Sequence, residues 1–97
     1  QKISIVVPVF NEQENLCEFY KRATDVMSAE HYDYNIIFVD DGSHDNSAVI
    51  LNELSKKDSH VEAYLLSRNY GHQMALTCGL DNADGDAVIT MDGDLQH

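Results

Sequence analysis

The chain is 97 residues long with 43% hydrophobic and 24% charged content, which suits one soluble globular domain with a single core and excludes a multidomain arrangement. Its 6 Lys and Arg against 17 Asp and Glu give a formal net charge of -11, a field that repels a phosphate backbone and argues against general nucleic-acid binding. No apolar run approaches the roughly 20 residues of a membrane-spanning helix, and Gln1-Lys2 leads straight into apolar sequence without a signal-peptide pattern.

Ile3 to Phe10 is a β-branched run without alternation, which predicts a first strand covered on both faces. Pro8 lacks an N–H, so the ladder should stop or meet an edge there. Asn11 to Glu14 resembles a capping box and predicts the start of a helix. In that helix Leu16, Phe19, Tyr20, Ala23, Val26 and Met27 recur at three and four as one stripe, and it should end near Ser28. Asn35 to Asp40 repeats the strand pattern, Asp41-Gly42-Ser43 breaks it, and a second helix carries Ala48, Leu51 and Leu54 on one face. Val61 to Leu66 is the third expected strand. Asn69 can cap a third helix lined by Ala75, Leu76, Gly79, Leu80 and Ala83, with Gly79 permitting close contact with the sheet. Asp84-Gly85-Asp86 turns the chain into a fourth strand, Ala87 to Met91.

This alternation predicts an α/β fold, a Rossmann-like parallel sheet in the order 3-2-1-4 with helices on both faces. Cys17 and Cys78 fit no CxxC or zinc-ligand spacing and read as free, buried thiols, which suits a reducing compartment.

In such a sheet the ligand sits outside the carboxyl ends of the strands, where the strand order reverses. Those ends are polar: Pro8 to Glu12, Asp40 to Ser43, Ser67 to Asn69, and Asp92 to Gln96. Carboxylates sharing one crevice repel each other unless a cation intervenes. Asp92, Asp94 and Gln96 are hard oxygen donors suited to Mg²⁺ or Mn²⁺, with water and phosphate oxygens completing the octahedron. The same letters also suit a plain polar turn. Of Asp40 and Asp41, one is expected to serve the turn, where Ser43 or Asp45 caps the second helix, and the other to face the crevice and accept hydrogen bonds from a base or ribose. Glu12 and Arg68 each have an ordinary use, as a first-turn acid and a surface ion-pair partner, beside a ligand role. The five histidines show no ligand spacing, and only His97 adjoins the acidic cluster. Neither GxGxxG nor GxxxxGK[ST] occurs, so phosphate must be held in another way.

Four ordered blocks, VVPVFNE at Val6 to Glu12, VDDGSHDNS at Val39 to Ser47, LSRNYGHQMALTCGL at Leu66 to Leu80 and GDAVITMDGDLQH at Gly85 to His97, resemble family 2 glycosyltransferases of the GT-A fold. The likeness is greatest to those that move a sugar from a nucleotide to a polyprenyl phosphate, such as dolichol-phosphate mannose synthases. It implies that residues 1–97 are the N-terminal, donor-binding half of a GT-A domain acting with inversion. It implies that Pro8, Phe10 and Glu12 border the nucleotide, that Val39 and Asp41 meet the base, and that Asp92 with Gly93 meets the ribose or metal. Asp92, Asp94 and Gln96 would bind Mg²⁺ or Mn²⁺, Arg68 is the basic residue of an RNxG segment near the donor, and His72 takes a position often basic in relatives. The implied partners are a UDP- or GDP-sugar and an undecaprenyl or dolichyl phosphate, or a glycan acceptor, at the cytoplasmic face of a membrane. Family members continue past the DxD segment into acceptor-binding and often membrane-associated parts. The chain therefore reads as an excerpt with an exposed fourth-strand edge, weak stability and a tendency to form homo-oligomers. Two other classes compete: a phosphoacceptor receiver domain, whose acidic pair should follow strand one rather than strand two, and a non-catalytic nucleotide-binding module.

Overall fold

The computed structural model describes residues 2–91. Its elements are β1 (Lys2–Val9), α1 (Leu16–Ala29), β2 (Asp33–Asp40), α2 (Ser47–Lys57), β3 (Val61–Leu65), α3 (His72–Asn82) and β4 (Ala87–Thr90). The sheet order is β3-β2-β1-β4 with every pairing parallel, as the strand–helix rhythm predicts.

Alternate residues of β1 and β2 point to opposite faces, and both faces are covered, which is why neither strand alternates apolar with polar. Ile5, Val7, Ile36 and Phe38 pack with Leu16 and Phe19 of α1 and Leu51 and Leu54 of α2. Val6, Ile37 and Val39 pack with Ala75 of α3 on the other side. Gly79 lies against that second face: a Cβ there would run into Val6 Cγ1 and stand 3.3 Å from Val39 Cγ2. The close helix–sheet approach expected at Gly79 is thus present.

Pro8 sits inside β1, paired in register with Val39. The β1–β4 ladder ends at Val6↔Thr90, with Met91 N–H donating to Val6 O at 3.0 Å. Pro8 has no N–H to give Met91 O, the bond that would complete a Val7–Met91 pair, so the β4 ladder stops there as expected. At the opposite end β4 is held in register by its turn. Asp86 N–H donates to Lys2 O at 2.8 Å, and Gly85 N–H donates to the buried Ser4 Oγ at 2.9 Å. Ser4 Oγ in turn donates to Asn35 Oδ1 at 2.7 Å, and Asn35 Nδ2 to Glu62 Oε2 at 2.6 Å, a polar tie crossing β1, β2 and β3.

Several local expectations are corrected. Asn11 to Glu14 does not open α1: Asn11 has φ 52°, and the helix begins at Leu16 after Asn15. Gly71, not Asn69, is the N-cap of α3, although Asn69 Oδ1 accepts the Gly71 N–H at 2.9 Å. Val26 and Leu80 are 57% and 45% exposed. Each sits one residue, about 100° around its helix, from a buried neighbour, Met27 or Gly79, which takes it off the buried face. Cys17 is exposed and Cys78 half-buried, both free, so the thiols are not core residues. No described helix is long and apolar enough to cross a membrane.

At the amino edge, Tyr20 of α1 donates its hydroxyl to Asp58 Oδ2 at 2.6 Å. Asp58 Oδ1 accepts from the His60 backbone at 2.9 Å, and the His60 ring stacks on Tyr34 at 4.3 Å. The bond to Asp58 and burial push the Tyr20 phenol up to about 12. Burial pushes the Asp58 carboxyl up, but the hydrogen bonds from Tyr20 and His60 outweigh it and leave the group below its ordinary 3.8.

Gly79→Ala should lower stability by about 1–2 kcal/mol, overpacking outweighing the gain in helix propensity, as read from the urea midpoint. Tyr20→Phe should cost about 1 kcal/mol near neutral pH. Because the folded Asp58 carboxyl titrates below its unfolded value, that contribution is complete above about pH 4 and fades as pH falls further. Urea unfolding of both proteins between pH 2 and 7 checks this, with the gap closing only at the acid end.

Candidate functional site

Strands β1, β2 and β3 all deliver their carboxyl ends to one edge. After β3 the chain crosses to the far side of β1 to form β4, so the order reverses between β1 and β4. Ligands in open α/β sheets sit outside that point. Pro8 is half-buried there, Phe10 is 38% exposed and Met91, just past β4, is 37% exposed.

The loops leaving β1 and β2 are sewn together. Asn11 N–H donates to Ser43 Oγ at 2.9 Å, and Asn11 Oδ1 accepts the His44 N–H at 2.8 Å. Glu12 N–H donates to the buried Ser47 Oγ at 3.0 Å, and Gln13 exchanges bonds with Asp45 and Asn46. This explains why Asn11 caps no helix: its side chain holds the neighbouring loop. Phe10 meets the edge of His44, ring centroids 6.2 Å apart at 78°. Burial pushes Asp45 up, but hydrogen bonds from Ser47 and Gln13 win and keep its carboxyl below the usual range.

The two aspartates after β2 do different work. Asp40 accepts from the Ser43 N–H at 3.1 Å and from the Ser43 hydroxyl, closing the turn. It is therefore the turn-serving member of the pair. Asp41 Oδ1 accepts the Tyr70 N–H at 2.8 Å and Oδ2 the Gly71 N–H at 3.0 Å, so its carboxylate lies beneath the β3–α3 loop. It is 4% exposed, with both oxygens engaged by backbone amides. Gly42, at φ 73°, has no room for a Cβ because the backbone of Arg68 and Asn69 occupies that space.

The remaining candidates divide. Val39 is fully buried and packs with Ala75 of α3 at the end of β2. Glu12 is half-buried and its Oε2 accepts from Asn15 Nδ2 at 3.3 Å, partly turned back toward α1. Arg68 is exposed, lies 4.9 Å over the Tyr70 ring, and forms no salt bridge among the described residues. His72 opens α3. Asp92, Gly93, Asp94, Gln96 and His97 lie outside the described residues. Among the described residues no group of His, Cys, Asp or Glu is placed to hold a metal. Ser47 and Tyr70 are structural members of the site that sequence reading missed, and Ser43, read as a cap of the second helix, bonds Asp40 instead while Asn46 is the N-cap of α2. Their signal lies in the VDDGSHDNS and RNYG blocks, where the spacing of small hydroxyls and glycines marks loops in mutual contact.

Residues 4–97 match Glycosyl transferase family 2. The chain belongs to this family. It is 49% identical over 96 residues to the undecaprenyl-phosphate 4-deoxy-4-formamido-L-arabinose transferase of Pseudomonas fluorescens (strain SBW25), covering 98% of this chain and 28% of that protein. The Proteus mirabilis (strain HI4320) transferase of the same name is 46% identical over 97 residues, covering 99% and 30%. The chain thus spans under a third of the length of these relatives. Among solved structures, S. aureus TarS in complex with UDP superimposes with TM-score 0.80 at 25% identity, over 97% of this chain and 28% of that one. The mannosyltransferase PcManGT from Pyrobaculum calidifontis, in complex with GDP-Man and Mn²⁺, gives 0.80 at 20% identity, over 95% and 27%. The fold is that of GT-A glycosyltransferases, as the sequence resemblance implies. The receiver-domain alternative is overturned by the family match, and strand three here ends in Ser67-Arg68-Asn69 where a receiver needs its phosphorylated aspartate.

Gly42→Ala should cost more than about 1 kcal/mol, combining positive φ with a clash against the Arg68 backbone, and urea unfolding measures it.

Proposed function

We propose that the chain is the donor-binding part of an inverting, metal-dependent glycosyltransferase that moves a sugar from a nucleoside diphosphate to a polyprenyl phosphate. The observation that carries this reading is the carboxyl edge of the parallel sheet, where an exposed Phe10 follows β1 and Arg68, free of carboxylate partners among the described residues, follows β3. Relatives named as undecaprenyl-phosphate sugar transferases, and neighbours holding UDP or GDP-Man with Mn²⁺, support it.

In this reading Pro8 and Phe10 give the base and ribose an apolar border, and Glu12 accepts from donor hydroxyls at the margin. Val39 and Asp41 underlie the base from the end of β2. The Arg68 guanidinium, backed by Tyr70, pairs with diphosphate oxygens in a region otherwise rich in carboxylates. Asp92, Asp94 and Gln96 would hold Mg²⁺ or Mn²⁺, with Gly93 leaving room for the ribose, and the bound cation supplies charge neutralisation as the diphosphate departs. An acceptor phosphate is already a competent nucleophile, so this half of the protein needs no general base of its own. A polyprenyl acceptor fits a whole protein working at the cytoplasmic face of a membrane.

Calorimetry of the full-length protein with UDP, GDP, CDP and ADP, each with Mn²⁺, Mg²⁺ or chelator, tests the reading. Metal-dependent binding of one diphosphate is expected, weakened about tenfold by Asp94→Asn, a loss of about 1.4 kcal/mol. Equal titrations of wild type and variant, or binding indifferent to chelator, would sink the site.

A further inference from the structure

The loops after β1 and β2 bring one imidazole against one benzyl ring. Phe10 follows Val9, the buried last residue of β1, yet its own ring is 38% exposed. Across from it in the β2–α2 loop stands His44, also exposed, with the two ring planes at 78° and their centroids 6.2 Å apart. The backbone on both sides of this pair is fixed. Asn11 adopts φ 52°, a left-handed conformation that Asn tolerates better than most residues. From there it donates its N–H to Ser43 Oγ at 2.9 Å and accepts the His44 N–H on Oδ1 at 2.8 Å. Asp45, next after His44, accepts the Gln13 N–H at 3.3 Å. The loop is thus closed by the neighbours of His44 and by its backbone. Among the described residues its ring enters no salt bridge, and the aromatic contact it makes is with Phe10.

We propose that His44 is a positioning residue that acts through Phe10: its ring, seated by Asn11, holds the Phe10 ring in the orientation in which it borders the nucleotide base. The inference rests on the donor-binding reading above and deepens it with a residue that sets donor affinity without touching the donor. A phenylalanine exposed on a loop keeps several side-chain wells, and the orientations given up on binding weaken the complex. A perpendicular aromatic neighbour favours one orientation, because edge-to-face pairs are more favourable than their buried area alone implies. Such a neighbour orients the ring only when its own backbone is held, which the Asn11 bonds to Ser43 and His44 accomplish. His44 is exposed, so truncating it empties no core site.

The experiment is a double-mutant cycle on the full-length protein, reading calorimetric affinity with Mn²⁺ for whichever of UDP, GDP, CDP and ADP the wild type binds. H44A is expected to weaken binding about fivefold, and H44F, which restores a ring edge, to return it to within about twofold of the wild type. F10A is expected to weaken it about tenfold, and the F10A/H44A double variant to be no weaker than F10A. The urea midpoint and the Mn²⁺ requirement of H44A are expected to match those of the wild type. Wild-type affinity in H44A, H44F as weak as H44A, or losses that multiply to about fiftyfold in the double variant would each overturn the inference while leaving the donor reading in place. A lowered urea midpoint in H44A would replace it with a role in folding. Failure of the wild type to bind any diphosphate would remove the donor reading and this inference with it.

Discussion

The carboxyl edge depends on one constraint, the burial of β1 and β2 on both faces. Val6, Val7, Ile37, Phe38 and Val39 are fully buried, alternately beneath α1 and α2 or beneath α3. A parallel pair with apolar side chains on both faces cannot slip by one residue without exchanging its two cores, so its register is strongly specified. Because the pair is rigid, the loops that leave it start from defined points: Phe10 and Asp41 emerge side by side, linked by the Asp41 N–H to Val9 O bond. The polar loops therefore inherit their geometry from the apolar core beneath them.

Sequence alone made the strands and their order legible, because burial on both faces writes itself as unbroken β-branched runs and the topology follows from right-handed crossovers. Helix starts were less legible. Asn11, Asn69 and Asp45 all carry capping chemistry, yet Asn11 bonds the next loop, Asn69 bonds the N-cap from outside the helix, and Asp45 joins Gln13 to Ser47. A cap competes with every donor that tertiary structure brings near, and sequence shows only the local contender. Val26, Leu80 and Cys17 were misplaced for a related reason: apolar character says a residue can be buried, while the angular width of the contact decides whether it is. Within the site, residue types and loops were readable, but the division of labour between Asp40 and Asp41 was not. Adjacent identical residues differ only in which way they point, and that depends on a loop 29 and 30 residues away.

The same geometry gives an account of charge. A chain with net charge -11 is a poor host for an anionic ligand unless its carboxylates near the site are already engaged. Asp40 is closed by Ser43, Asp41 by the amides of Tyr70 and Gly71, and Asp45 by Ser47 and Gln13. Backbone N–H groups and hydroxyls thus compensate the acids that border the crevice without consuming its cation. Among the described residues Arg68 is held by an aromatic face instead of a carboxylate, which leaves its charge and its fork of donors available there. Stability of the loop and attraction for an anion are obtained from different partners, and that separation is what the adjacent Asp40-Asp41 pair, followed by a glycine with no room for a side chain, makes physically possible.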